Sequence, residues 1–201
     1  MIKIIHHGTG NINSIANMLQ KIGVDHSIIS SASDLSENDK LILPGVGSFD
    51  RAVKNIKTNG IFYELKENFF KKNYKILGIC LGMQLLCKGS EEGVEDGLDF
   101  FNVTCKKFPT KNNKSPTLIG WTGIEKTSNN LIFDDIDAED RFYFLHSYYV
   151  DINSNYTLSI SRNNGLKYSS IIYKKNIYGI QFHPERSHNF GLKILNNFSK
   201  Y

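Results

Sequence analysis

The chain has 201 residues, 40% of them hydrophobic, and a formal net charge of +4. That length suits one domain with a sizeable core, spanning 1–201, because chains split only beyond roughly 250–300 residues. The mild charge is scattered rather than striped, which gives nucleic-acid binding little support. The most apolar run, Ile76 to Cys87, is broken by two glycines and Gln84 and falls short of the about 20 apolar residues of a membrane span. Met1 to Gly8 carries no signal-peptide-like apolar segment. Cys80, Cys87 and Cys105 cannot all pair within one chain, and no Cys-x-x-Cys spacing points to zinc. Free thiols in a soluble, cytosolic protein are the expectation.

In chain order, Ile2 to His6 reads as a first strand and Gly8 to Asn11 as a turn. A helix follows over about 15–22, capped by Asn13 or Ser14, with apolar residues at helical spacing. Strands are predicted over 25–30 and 40–43, joined by a polar connection over 31–39. Helices are predicted over 49–57 and 61–72. Another strand, Lys75-Ile76-Leu77, then runs into a turn and a helix that includes Cys87. This order predicts an α/β fold, a mostly parallel sheet with helices on both faces. The second half differs. A loop is predicted over 88–97, a strand over 100–108 and a Lys/Asn-rich loop over 109–116. Strands follow over 120–124, 142–146, 158–162, 170–174 and 177–182, a meander that predicts an antiparallel extension. An amphipathic helix over about 189–199 closes the chain.

Three stretches carry chemistry. In Gly78-Ile79-Cys80-Leu81-Gly82 a glycine stands two positions either side of a reactive side chain. This is a nucleophile-elbow pattern with cysteine as the nucleophile. The glycines remove Cβ atoms where strand and helix nearly collide, and the start of the following helix favours thiolate. Alone, the pentapeptide also fits a buried cysteine in a packed turn. Gly179 to Glu185 delivers His183 at a strand end with Glu185 two residues on. Cys80, His183 and Glu185 are the three residue types of a nucleophile, its base and the base's orienter. Leu43-Pro44-Gly45-Val46-Gly47-Ser48 follows a strand, so its amides lie at the same sheet edge. A peptide flip there could present the Val46 N–H to an oxyanion, with Leu81 N–H as second donor.

Together, Gly-Ile-Cys-Leu-Gly-Met-Gln and Gln-Phe-His-Pro-Glu resemble the class I (triad) glutamine amidotransferases. With Leu-Pro-Gly-Val-Gly-Ser, Ser-Glu-Glu-Gly, Gly-Trp and Tyr-Phe-Leu-His-Ser-Tyr, the chain is similar to the HisH family, glutaminase subunits of imidazole glycerol phosphate synthase. The resemblance covers essentially the whole chain. It implies a flavodoxin-like fold and a Cys80–His183–Glu185 triad that hydrolyses glutamine. It further implies an oxyanion hole from the Val46 and Leu81 amides, and glutamine contacts from Gly47, Gln84, Ser147 and Tyr148. The partner it implies is a HisF-like (β/α)8 cyclase facing Asn11, Trp121, Tyr143 and Arg186. No cofactor or metal is implied. Trp121 and Tyr143 stand in apolar strand patterns and also fit plain core packing.

Two departures stand out. His6-His7-Gly8 replaces the family's Asp-Tyr-Gly, and Thr117-Leu118-Ile119 precedes Gly120-Trp121 where the family commonly has Pro-His. Adjacent histidines on a strand would face opposite sides and share no metal. Both departures fall towards the implied partner. A paralogous glutaminase that supplies ammonia to a surface-glycan or flagellar sugar is therefore the alternative. An inactive scaffold and a thiol protease are more distant ones.

Overall fold

The computed structural model describes residues 1–8, 10–110 and 117–201. Most of the loop expected over 109–116 thus lies outside the described residues. β1 (Ile2–Ile5), α1 (Ile12–Lys21), β2 (His26–Ile29), β3 (Lys40–Leu43), α2 (Phe49–Thr58), α3 (Ile61–Asn68), β4 (Lys75–Ile79) and α4 (Leu81–Leu85) form the first half. The second half carries β5 (Cys87–Ser90), β6 (Phe101–Lys107), β7 (Leu118–Thr122), β8 (Glu125–Lys126), β9 (Phe142–His146) and β10 (Tyr148–Tyr149). β11 (Thr157–Asn163), β12 (Leu166–Lys174), β13 (Ile177–Ile180) and α5 (His188–Lys200) complete it.

The main sheet has eight strands in the order β2-β1-β3-β4-β13-β12-β11-β8. The first five are parallel, and β12, β11 and β8 extend them antiparallel. Strand alternation explains the layering. Leu41 and Leu43 on β3 and Ile76 on β4 pack with Phe49, Val53, Ile56, Ile61 and Leu65 of α2 and α3. Ile42, Leu77 and Ile79 turn to the other face, with Ile15 and Leu19 of α1 and Ile194, Leu195 and Phe198 of α5. Helices on both faces of a mostly parallel sheet, with the antiparallel extension, is the architecture expected.

Several local expectations need correction. α1 starts three residues early: Asn11, not Asn13 or Ser14, is its N-cap, and Ser14 Oγ donates to Asn11 Oδ1 at 2.7 Å. α3 stops at Asn68, because the chain turns through Asn73 (φ 52°) to feed Tyr74 into the core. α4 stops at Leu85, so Cys87 is not in a helix. The Leu98 and Phe100 N–H groups donate to the carbonyls of Leu85 and Leu86, which pulls the chain into β5 beside β6. The expected 88–97 loop therefore begins as a strand. β1 ends at Ile5, so neither His6 nor His7 lies on it. Among the described residues no helix is long and apolar enough to cross a membrane.

Candidate active site

β4 and β13 run side by side, with Gly78 opposite Gly179 and Ile79 opposite Ile180. They deliver Cys80 and His183 to one edge of the sheet. Cys80 sits at φ 52°, ψ −106°, a conformation L-residues rarely adopt. Its N–H donates to Ile180 O at 2.7 Å and its carbonyl accepts from Gln84 N–H at 3.2 Å. A Cβ on Gly78 would lie 2.6 Å from Gly82 O, and one on Gly82 would lie 1.8 Å from Leu43 O. Both glycines are thus required for the elbow to close. With α4 only five residues long, its dipole gives the sulfur less support than a full helix would.

His183 is fixed at both its backbone and its ring. Its N–H donates to Tyr143 O at 2.9 Å. Ser187 Oγ donates to His183 O at 2.6 Å and accepts from Tyr143 N–H at 3.0 Å. His183 Nδ1 meets Glu185 Oε1 at 2.8 Å, with the two side chains 2% and 3% exposed. Nδ1 therefore donates and Nε2 is left for chemistry. Nε2 is buried with no strict hydrogen-bond partner, within electrostatic reach of the Cys80 sulfur. Burial opposes a charged ring, but the Cys80 sulfur and then the Glu185 carboxylate outweigh it and push the His183 pKa up to about 10.

The direction of this shift bears on activity. A histidine whose folded pKa is raised keeps its proton, and the stability that goes with it, below its unfolded value near 6.5. It loses both as pH rises through about 10. Glu185→Gln removes the negative orienter, so the alkaline limb of the glutaminase pH profile is expected to move to lower pH. The rate should fall about a hundredfold. A pH–rate profile of the two proteins checks this.

Opposite the elbow, Gly47 has φ +115°, which favours glycine. A Cβ on Gly45 would lie 2.4 Å from the Leu81 Cβ and the Gly82 nitrogen. The Leu81 N–H donates to Gly45 O at 3.4 Å. In a trans peptide the Val46 N–H points away from the carbonyl to which it is bonded, so here it faces away from Leu81. Of the two expected oxyanion donors, Leu81 is occupied by a carbonyl and Val46 is turned outward. His7 Nε2–H donates to Pro44 O at 2.5 Å, and burial pushes the pKa of this histidine down. The unusual His6-His7 pair thus puts one exposed ring outside and one buried ring against the oxyanion segment.

A cavity of about 220 Å³ lies over Cys80 and is lined by Val46, Gly47, Leu81, Gln84, Ser147, Tyr148 and His183. All the residues assigned to glutamine and the oxyanion from sequence therefore share one pocket with Cys80 and His183, and Glu185 stands behind the His183 ring. Gln84 Nε2 donates to Tyr148 O at 3.4 Å, and Ser147 Oγ pairs with Thr117 Oγ1 at 2.8 Å.

The family model described as glutamine amidotransferase class-I matches residues 3–200. Subunit HisH 2 of imidazole glycerol phosphate synthase from Methanococcus maripaludis is 42% identical over 200 residues, 100% of this chain and 99% of that one. HisH 1 from Campylobacter jejuni is 41% identical over the full length of both chains. The chain belongs to the HisH family of class I glutamine amidotransferases. Two solved structures from Thermotoga maritima share the fold alone. They are PurLQS (TM-score 0.72, 18% identity, 100% of this chain and 97% of that one) and a glutamine amidotransferase (TM-score 0.63, 20% identity, 92% and 75%). As a member of its family the amidotransferase is a glutamine-hydrolysing enzyme.

Sequence reasoning missed two titratable groups of this pocket, Glu92 and His146. Asp50 holds the Glu92 loop, accepting from Val94 and Glu95 N–H at 3.0 Å each. Burial, with Asp50 nearby, pushes the Glu92 pKa up. The acidic loop Glu91–Glu95 was legible, but not that one carboxylate turns inward. His146 follows the alternation of β9 inward. Its Nδ1–H donates to Tyr148 O at 2.7 Å, and burial pushes its pKa down to about 4, so the ring is neutral at physiological pH.

The residues with an implied partner role lie outside this pocket. Trp121 is 46% exposed, which removes core packing as its explanation. It meets the Tyr143 ring edge-on at 5.9 Å and stacks on His188 at 5.3 Å, and the Arg186 guanidinium lies over Tyr143 at 5.6 Å. Exposed Ile119 extends this patch. Asn11 lies apart, at the start of α1 beside His6 and Ile28. Cys87 and Cys105 are buried. Hydrogen bonding with Cys105 and burial push the Cys87 thiol well up, so Cys87 is an inert core residue.

Proposed function

We propose that this chain is the glutaminase subunit of imidazole glycerol phosphate synthase, acting as one domain over 1–201 and feeding ammonia to a HisF-like cyclase. The observation that carries it is the buried His183–Glu185 pair at 2.8 Å, with its free Nε2 turned to Cys80 inside a pocket of amino-acid size. HisH relatives across the full length support the pathway.

Cys80 thiolate attacks the side-chain amide carbon of glutamine. His183 gives its proton to the departing nitrogen, and ammonia leaves as the C–N bond breaks. His183 then takes a proton from water, which attacks the thioester. The C–S bond breaks, glutamate departs and the sulfur returns as thiolate. Glu185 keeps the ring in the tautomer this needs. Glu92 has the charge to receive the α-ammonium of glutamine, and Ser147 and Tyr148 offer polar groups for the rest of the amino-acid head. Trp121, Tyr143, Arg186 and Asn11 are the residues we assign to the cyclase surface. The exposed aromatic–Arg cluster has the composition of an interface anchor.

The Gly45 carbonyl against Leu81 N–H means the oxyanion hole is closed in this state. Flipping the Gly45–Val46 peptide would free Leu81 and turn the Val46 N–H inward, giving two donors. A partner that binds the flipped form better shifts this balance. The isolated chain should therefore release glutamate slowly. A cognate cyclase with its nucleotide should raise kcat by about 10²-fold or more, since one oxyanion donor is worth that much. Glutaminase assays with and without the cyclase test this. Equal rates would refute the coupling, and stimulation by a sugar-modifying amidotransferase instead would redirect the ammonia.

A further inference from the structure

Gln181 belongs to the Gln-Phe-His-Pro-Glu stretch, yet neither the triad nor the glutamine pocket uses it. It lies two residues before His183, just past β13, and is wholly buried. Its backbone N–H completes the pairing with β12 by donating to Ser170 O at 2.9 Å. In its side chain, Nε2 donates to the Cys80 sulfur at 3.6 Å. Oε1 is buried and has no hydrogen-bond partner. A buried amide that leaves its carbonyl unpaired loses free energy unless its N–H makes a strong bond. An N–H to a neutral thiol is a weak bond, whereas an N–H to a thiolate is charge-assisted.

The other neighbour of the sulfur acts in the opposite sense. Leu145 O lies 3.7 Å from Sγ and can only accept. The Cys80 sulfur thus sits between an acceptor that suits the thiol and a donor that suits the thiolate. An amide in a wholly buried site cannot trade this role with water. The choice between the two protonation states is then made by Gln181 and His183 acting on the sulfur together.

We propose that Gln181 is a positioning residue for the nucleophile, whose side-chain N–H holds the Cys80 sulfur as the thiolate. This rests on Cys80 being the nucleophile of the proposed glutaminase. The bond is present in the resting enzyme and lost in the thioester, where the sulfur carries no charge. It forms again as water attacks and the C–S bond breaks, so the sulfur leaves as a stabilised anion. Gln181 therefore acts on both the attack and the release of the acyl group, without touching glutamine.

The test uses the full chain with its cyclase. Gln181→Met keeps the length and volume of the side chain and removes the N–H. Alkylation of Cys80 by iodoacetamide, followed against pH, reads the thiolate directly. We expect the alkylation profile of the variant to move up by about one pH unit, with about tenfold slower alkylation at neutral pH. Glutaminase kcat should fall by a similar factor while KM for glutamine stays within about twofold. Gln181→Glu, which sets a carboxylate against the sulfur, should move the profile further up. An unchanged alkylation profile in a variant that merely melts earlier would assign Gln181 a structural role and overturn the proposal. If both variants fail to fold, the unaltered protein serves. The Gln181 side-chain N–H resonances should shift when the sulfur is alkylated, and unmoved resonances would equally overturn it. Failure of the wider reading looks different, because Cys80→Ser would then keep its glutaminase activity whatever Gln181 does.

Discussion

Replacing Cys80 by serine is expected to lower glutamate release from glutamine by at least about a thousandfold, with the fold intact. A serine hydroxyl in the same place is not ionised by a histidine, so the charge partnership that raises the His183 pKa to about 10 disappears. Serine is the smaller side chain, and position 80 is only 6% exposed, so neither a clash nor a new charge threatens the core. Glutamate assay and a thermal melt measured together separate chemistry from folding. Undiminished release would remove Cys80 from the mechanism. The same position offers a second readout. At φ 52°, ψ −106° a Cβ is strained by about 1–3 kcal/mol. Cys80→Gly should thus melt above Cys80→Ala by a few degrees, since about 1 kcal/mol moves a chain of this size by 2–4 °C. Both variants should be inactive, which would make the elbow a site where stability is given up for the placement of sulfur.

Gly82→Ala is expected to be the most damaging conservative change in the first half of the chain. The added Cβ would lie 1.8 Å from Leu43 O and 2.8 Å from Leu43 C. Those are backbone atoms of β3 and cannot rotate away, so the elbow must lift from the sheet. Overpacking of this kind costs about 1–3 kcal/mol or more, or roughly 2–12 °C in Tm. Lifting the elbow also moves Leu81 N–H and Cys80, so activity should fall further than stability. Gly89→Ala is the control. Its Cβ would meet nothing nearer than Glu95 O at 3.9 Å, and its melting point should match the unaltered protein. Circular-dichroism melts of the three proteins decide the matter. A Gly82→Ala variant as stable as the control would mean that the elbow packs differently from the geometry described.

The parallel half of the fold and the turn at Cys80 were legible because their signals are local. Alternating Leu41, Ile42 and Leu43 reads as a strand buried on both faces whatever surrounds it. The spacing of Gly78, Cys80 and Gly82 implies its own turn. The same reasoning failed where a distant segment overrides local preference. Leu86 and Cys87 continue the apolar run of the elbow helix, and only the N–H groups of residues 98–101 draw that backbone into β5. Glu92, His146 and Gln181 were missed for a related reason. Glu92 matters through Asp50 and Gln181 through Cys80, both tens of residues away, and His146 faces the pocket only because β9 is buried on that side.

Cys80, with a glycine on either side, was identified by sequence alone as the candidate nucleophile, and His183 and Glu185 as its partners. That much follows from residue type and spacing. Tertiary structure decided the state of the machine. The Gly45 carbonyl occupies the Leu81 N–H, His7 grips Pro44 from the β1–α1 turn, and Gln181 and Leu145 bracket the sulfur. No spacing rule could supply these contacts. They depend on which way one peptide plane and one buried amide point, and that is decided by the packing of strands brought together from both ends of the chain.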